Sequence, residues 1–252
     1  MTNKNTINNS QYPTHNSLSL LTKSAFTLAE TLIVMGIIGV VAALTLPNLN
    51  SSTGDKEKVA KLKKIYSNLN DAYGRAQAVY GPIAEWTQSI TDSNDKADKI
   101  AIRVLEFLKI SKDCGNGGDN CPDLPDGQYY INGTLMLEQG ICTDLPAYCV
   151  ILSDGTLLSL YEGGIEVDID GPNSGKSVWG KDLFAFTVNS TTGEIFPSGY
   201  DLKDTELKPY CFNNGSACAA WVLTNGNMDY LKATNGKCAN GTELSWTNIT
   251  CK

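Results

Sequence analysis

The chain has 252 residues, with 20 Lys and Arg against 27 Asp and Glu, for a formal net charge of −7. Binding nucleic acid through its phosphates needs clustered basic side chains, so this balance argues against a nucleic-acid partner. The composition is that of a folded chain with room for one or two domains, not of a disordered one.

Residues 1–25 are rich in Asn, Ser and Thr and have no apolar period, which predicts an unstructured leader. Residues 26–46 are nearly all apolar, with one acid, Glu30, and they end at Pro47. About 20 apolar residues rising 1.5 Å each span a hydrocarbon core of about 30 Å, so the stretch predicts a membrane-crossing helix. An ordinary secretory signal with Val40-Val41-Ala42 as its small-residue cut site, or a plain single-span anchor, would also account for the apolarity. Neither accounts for Glu30, because an acid in lipid costs a few kcal/mol, roughly, and usually has a partner and a job.

Lys23-Ser24-Ala25-Phe26-Thr27-Leu28-Ala29-Glu30, followed by the apolar run and Pro47, resembles the class III signal of type IV pilins and type II secretion pseudopilins. The resemblance implies that a prepilin peptidase cuts between Ala25 and Phe26 and methylates the new terminus. It implies that Glu30, the fifth mature residue, serves assembly, and that Pro47 is the helix-breaking proline common in the family. The family usually has Gly before the cut, where this chain has Ala25. The localisation implied is a single pass in the bacterial inner membrane with the C-terminal domain outside the cytoplasm, then a pilus or pseudopilus. The implied partners are the inner membrane, the peptidase, other pilin or pseudopilin subunits and the assembly machinery. The lysine count disagrees. Lys4 and Lys23 precede the span, and Lys56, Lys58, Lys61, Lys63 and Lys64 follow it. By the positive-inside rule that places the C-terminal side in the cytoplasm. Removing residues 1–25 takes away Lys4, Lys23 and the sole histidine, His15, and leaves 18 basic and 27 acidic residues, a formal charge of −9.

Residues 48–55 interrupt helix propensity with Asn, Ser and Gly. Val59, Leu62, Ile65, Tyr66, Leu69, Tyr73, Ala76 and Tyr80 then recur at three- and four-residue steps, an amphipathic helix ended by Gly81-Pro82. Residues 47–80 thus form a helix joining a globular domain over 81–252. Residues 97–110 predict a second helix with Ile100, Val104, Leu105 and Leu108 on one face, and 111–126 a loop. Tyr148 to Ser153, Asp154-Gly155 and Thr156 to Tyr161 carry a strong hairpin signal. Residues 165–169 and 183–188 predict further strands, giving an antiparallel sheet of about four.

The segment from Val167 to Phe184 adds to the resemblance, since it is similar to the Asp-x-Asn-Gly…Gly-Pro-Asn…Gly-x-Asp-x-Phe segment of pseudopilin-like proteins. In some of these such a loop holds calcium, and Asp168, Asp170, Asn173 and Asp182 offer the oxygen ligands a hard cation takes. The EF-hand pattern itself fails at Pro172. The plain alternative is a turn-rich connection whose Asp and Asn side chains bond to their own backbone. No other cofactor is indicated.

Eight cysteines, Cys114, Cys121, Cys142, Cys149, Cys211, Cys218, Cys238 and Cys251, all follow the apolar run, and read as disulfides of an oxidising compartment. Eight cysteines allow 105 connectivities, so the sequence does not fix the pairing, and pairing of neighbours is the expectation. Zinc is disfavoured by the absence of C-x-x-C spacing. The tail, residues 210–252, reads as a stapled, loop-rich cap. A chain left without histidine runs no Ser-His-Asp or Cys-His mechanism, so no catalysis is expected. Glu162 and Glu166 are a carboxylate pair of the kind glycoside hydrolysis needs, but ordinary solvated acids explain them. The fold class that follows is α+β, pilin-like: a long N-terminal helix, half transmembrane and half amphipathic, packed on an antiparallel sheet, with a disulfide-rich C-terminal region. Its function is a structural filament subunit or, alternatively, a minor tip subunit acting as an adhesin or substrate-binding protein.

Overall fold

The structure, a computed structural model, describes residues 27–121, 124, 127–143, 145–172 and 175–251, without the side chains of residues 42–53. The leader and the Ala25–Phe26 cut lie outside the described residues. The chain divides into two compact units, Met1–Asn48 and Leu49–Lys252.

In the first unit, helix α1 (Leu28–Tyr80) begins, and residues 27–41 are exposed throughout. Its start is a capping box. Thr27 donates its backbone N–H and its hydroxyl to Glu30 Oε2, at 2.9 and 2.8 Å, and the Glu30 N–H donates to Thr27 Oγ1 at 3.2 Å. The helix continues through Pro47 and the Ser- and Gly-containing residues 48–55, where the sequence predicts an interruption.

Two expectations fall here. Among the described residues no helix is long and apolar enough to cross a membrane, which overturns the expected single-pass inner-membrane placement. Although α1 is long, its apolar stretch carries Glu30 and Thr31 at one end and gives way within the same helix to Asn48, Asp55, Lys56 and Glu57. Nor is a long N-terminal helix packed over its length on the sheet shown. Residues 27–41 are exposed, and the first buried side chain described on α1 is Val59, so the expected pilin-like fold class is contradicted.

The second unit is α+β. From Val59 onward α1 buries Leu62, Ile65, Leu69, Ala72, Tyr73 and Ala76, the stripe its three- and four-residue spacing predicts. These share one core with Ile100, Ala101 and Val104 of α2 (Ser93–Val104) and with strand residues such as Val150, Leu158, Val167 and Phe186. Tyr66 stacks on Phe186 at 5.5 Å between ring centres and donates its hydroxyl to the Ile195 carbonyl at 2.9 Å. Helix α2 starts earlier than the apolar pattern implies because Asp92 caps it, accepting from the N–H groups of Asn94 and Asp95 at 2.8 and 3.1 Å.

The main sheet has six antiparallel strands in the order β1-β4-β5-β6-β8-β9. They are β1 (Ile110–Asn116), β4 (Tyr148–Leu152), β5 (Leu157–Tyr161), β6 (Gly164–Asp168), β8 (Leu183–Val188) and β9 (Ile195–Pro197). The β4–β5 turn places Gly155 at φ +83, as a tight hairpin turn requires, and Asp154 Oδ1 accepts from the Thr156 hydroxyl at 2.9 Å. A smaller sheet joins β3 (Leu135–Leu137), β2 (Gln128–Tyr129) and β7 (Ser177–Val178) in that order, with β2 and β7 parallel. Between it and the main sheet sits a second core of Cys114, Cys121, Ile141, Cys142, Cys149, Leu157, Trp179 and Leu183.

The cysteines pair with their neighbours in sequence: Cys114–Cys121, Cys142–Cys149, Cys211–Cys218 and Cys238–Cys251. The tail is not a separate cap. Helix α3 (Ala219–Asn225) sends Trp221 and Val222 into the main core, and Trp221 meets Phe212 edge-on at 5.1 Å.

The last disulfide closes the longest loop, with a sequence separation of 13. In the chain-entropy account a loop of this size is worth about 3 kcal/mol. Replacing Cys238 and Cys251 by Ala together is expected to lower unfolding free energy by about that amount. Thiol counting on the unreduced, unfolded parent should find no free thiol; several reactive thiols would contradict the pairing.

Candidate functional site

The sequence-predicted acids Asp168, Asp170 and Asp182 do converge, at the end of β6 and in the connection to β8. Asp168 ends β6 fully buried. Its Oδ1 accepts from the N–H groups of Asp170 and Gly171 at 3.1 and 2.9 Å, and its Oδ2 from the Ser177 hydroxyl at 2.6 Å. Asp182, also buried, accepts from the Val178 N–H. The third participant is Lys58 of α1, whose ammonium lies 2.6 Å from Asp170 Oδ2 and 4.0 Å from Asp182 Oδ2. Gly171 sits here for a steric reason. At φ +74, a Cβ on it would lie 1.9 Å from the Gly155 carbonyl oxygen, so this loop and the β4–β5 turn meet backbone to backbone. A second lysine of α1, Lys64, holds that turn through Asp154 Oδ2 at 2.9 Å.

Burial pushes the Asp182 carboxyl up to about 7, with neighbouring Asp168 and Asp170 adding to the shift and the Val178 N–H and Lys58 opposing it. Burial raises Asp168 as well, against its hydrogen bonds from Ser177 and Gly171. Among the described residues no group of three or more His, Cys, Asp or Glu side chains is placed to hold a metal ion. Asn173, the fourth candidate ligand, lies outside the described residues. Both Asp168 oxygens serve the loop itself, and a calcium ion would have to displace Lys58 from Asp170. The set therefore fits a self-bonded turn closed by a lysine better than an oxygen cage.

Of the other sequence-predicted residues, Glu30 is exposed and engaged by Thr27, as described above. Pro47 lies inside α1, with its side chain outside the description; Ala25 and Phe26 lie outside it altogether. Glu162 and Glu166 do not face each other as a catalytic pair. Glu162 is exposed and bonds Lys96 of α2 at 2.8 Å, whereas Glu166 is buried in the middle of β6. The partnership of Lys58 with Asp170 spans 112 residues and left no local signal, but Thr27-x-x-Glu30 was readable as a capping box.

No protein-family profile, curated protein or solved structure matches the chain.

The raised Asp182 sets a pH dependence whose sign is fixed. Between its ordinary value of 3.8 and about 7 the folded protein keeps a proton that the unfolded chain has released. Stability therefore falls as pH rises through that window. Asp182→Asn keeps an acceptor for the Val178 N–H and removes the titration, so its unfolding midpoint should decline less steeply across the same range. Equal slopes for variant and parent would show that Asp182 is not the group responsible.

Proposed function

We propose that this chain is a structural subunit of a type IV pilus-like or type II secretion pseudopilus filament, cut before Phe26 and assembled through its N-terminal helix. The observation that supports this reading most directly is the bare apolar surface of α1. Leu28 is 79 % exposed and Met35 76 %, and Leu32, Ile33, Ile37, Ile38 and Val40 are each at least 60 % exposed. A contiguous apolar surface of this kind on a folded protein marks an association site. Burying each such side chain is worth roughly 1.5–3 kcal/mol. Gly36 and Gly39 have nothing within 4 Å of a Cβ position, so the chain's own packing gives no reason for glycine there. Small residues on a helix let a second helix approach closely. The resemblance of residues 23–47 to the class III signal supplies the processing step. A second reading, a minor tip subunit that binds a ligand, is favoured by an exposed tyrosine pair in the second unit.

Glu30 is the residue on which the filament reading is most sharply tested, because its carboxylate already has a local duty. Glu30→Ala removes both the charge and the acid half of the capping box, while the Thr27 hydroxyl still accepts from the backbone N–H of residue 30. Glu30→Gln keeps a side chain able to complete the capping box but removes the charge. With assembly as the role, both variants are cut normally, giving N-methyl-phenylalanine at Phe26 by mass spectrometry, and both are lost from purified filaments. If Glu30→Gln enters filaments as well as the parent while Glu30→Ala does not, the carboxylate is a helix cap only. A mature terminus at Ala43 would falsify the processing step.

A further inference from the structure

We propose that the groove between Tyr200 and Tyr210 is a binding site for a neutral saccharide. It deepens the second reading, that of a ligand-binding subunit, and it lies wholly within the second unit. The open groove, of about 380 Å³, lies beside edge strand β9, and Thr187, Ser198, Asp201 and Ser216 are the polar residues of its lining besides the tyrosines.

The two rings are unusual for a folded surface. Tyr200 is 56 % exposed and Tyr210 50 % exposed, although most of the other large aromatic side chains of this unit are buried or half-buried. Tyr200 is also held in place: Phe196 stacks on it at 4.7 Å between centres with 27° between planes. One ring face is thus taken by Phe196, and the exposure belongs to the rest of the ring. Tyr210 is fixed from its backbone. Its carbonyl accepts from the Ala217 N–H at 3.0 Å and the Ser216 hydroxyl at 3.3 Å, and the Cys211–Cys218 disulfide closes the same turn. Gly199, also in the lining, lets two backbone segments meet, because a Cβ on it, at φ +89, would lie 2.1 Å from the Ala217 carbonyl oxygen. The Tyr200 ring and the backbone that carries Tyr210 are therefore preorganised, which lowers the ordering that binding has to accomplish.

The polar groups set the ligand class. Asp201 is exposed and makes no ion pair among the described residues. A carboxylate only accepts hydrogen bonds, and charge-assisted bonds to it are the strong kind. It therefore calls for a ligand rich in donors. Thr187 and Ser198 bring hydroxyls that both donate and accept. A sugar ring supplies vicinal hydroxyl donors together with an apolar C–H face that lies on an aromatic ring. A proline-rich peptide, which also docks on aromatic grooves, presents mainly carbonyl acceptors and leaves Asp201 unserved.

The test uses the full chain, unassembled, in a sugar-free detergent that covers residues 28–41. Binding of cellobiose, lactose and chitobiose is measured by saturation-transfer NMR and calorimetry. At least one of them is expected to bind, and Tyr200→Ala and Tyr210→Ala should each weaken it about tenfold or more, the scale of losing a buried aromatic contact. Asp201→Asn should weaken it while leaving the unfolding midpoint unchanged, and Val79→Ala, exposed outside the groove, should leave it as in the parent. Retained disulfides and an unchanged near-ultraviolet spectrum show that each variant is folded. No binding by any of the three sugars overturns the proposal, as does binding that Tyr200→Ala leaves intact, or Tyr200-dependent capture of a proline-rich peptide in their place. Because assembly is not involved, failure here leaves the filament reading standing, and failure of Glu30 variants to behave as expected leaves this one standing.

Discussion

The main core of the second unit depends on one stripe of α1. Val59, Leu62, Ile65, Leu69, Ala72, Tyr73 and Ala76 are all at most 7 % exposed and join strand and α2 residues in a single core. At roughly 1.5–3 kcal/mol for each large apolar side chain, this stripe is the largest identifiable stabilising element. Its flanks do different work. Lys58 and Lys64 reach Asp170 and Asp154, which lie on two connections of the sheet that touch each other through Gly155 and Gly171. Partly exposed pairs of this kind contribute little stability each. What they add is position, since they tie the helix's rotational setting to one end of the sheet.

A sheet covered on one face buries every second residue, whereas the central strands of this one bury both sets. Strand β5 buries four of its five residues and β6 all five. The reason is the second core, where two disulfides, Trp179 and Leu183 cover the face turned away from α1. Two disulfides, Cys114–Cys121 and Cys142–Cys149, lie within this second core beside Ile141. Glu166 and Asp168 are consequently buried polar groups on β6, and Asp168 is accommodated because three donors satisfy its two oxygens.

This burial on both faces also explains which parts of the fold could be read from the sequence. The α1 stripe, the Asp154-Gly155 hairpin and the strand at residues 183–188 were legible, because each carries a local period or a turn requirement. Strand β1 was not. Its residues, Ile-Ser-Lys-Asp-Cys-Gly-Asn, are mostly exposed, and its register against β4 shifts twice, so no alternation survives. Strands β2 and β7 are two residues each and exist through pairing across about 50 positions. The continuous helix through Pro47 ran against propensity, and the depth of Asp168 and Asp182 could not be foreseen from acids that alternate with apolar residues. Of the acid cluster, the residues were legible and the partner was not. Lys58 lies far away in sequence, and no pattern marks one lysine among five on that helix.

Charge separates the roles of the two units. A cut before Phe26 leaves a chain of 18 basic and 27 acidic residues. Lys58, Lys64, Lys96 and Lys232 each pair with an acid of their own chain, so part of the basic complement is already engaged at home. Second units of neighbouring copies then carry like charge and repel beyond contact, over a Debye length of about 10 Å at 0.1 M salt. On the filament reading, their net charge does not hold copies together. On that same reading the attraction comes from the uncharged apolar face between Leu32 and Val41, with Glu30 at its edge. A subunit built this way associates more readily as salt rises, the opposite of one held by surface ion pairs, because screening weakens the repulsion and leaves apolar burial intact.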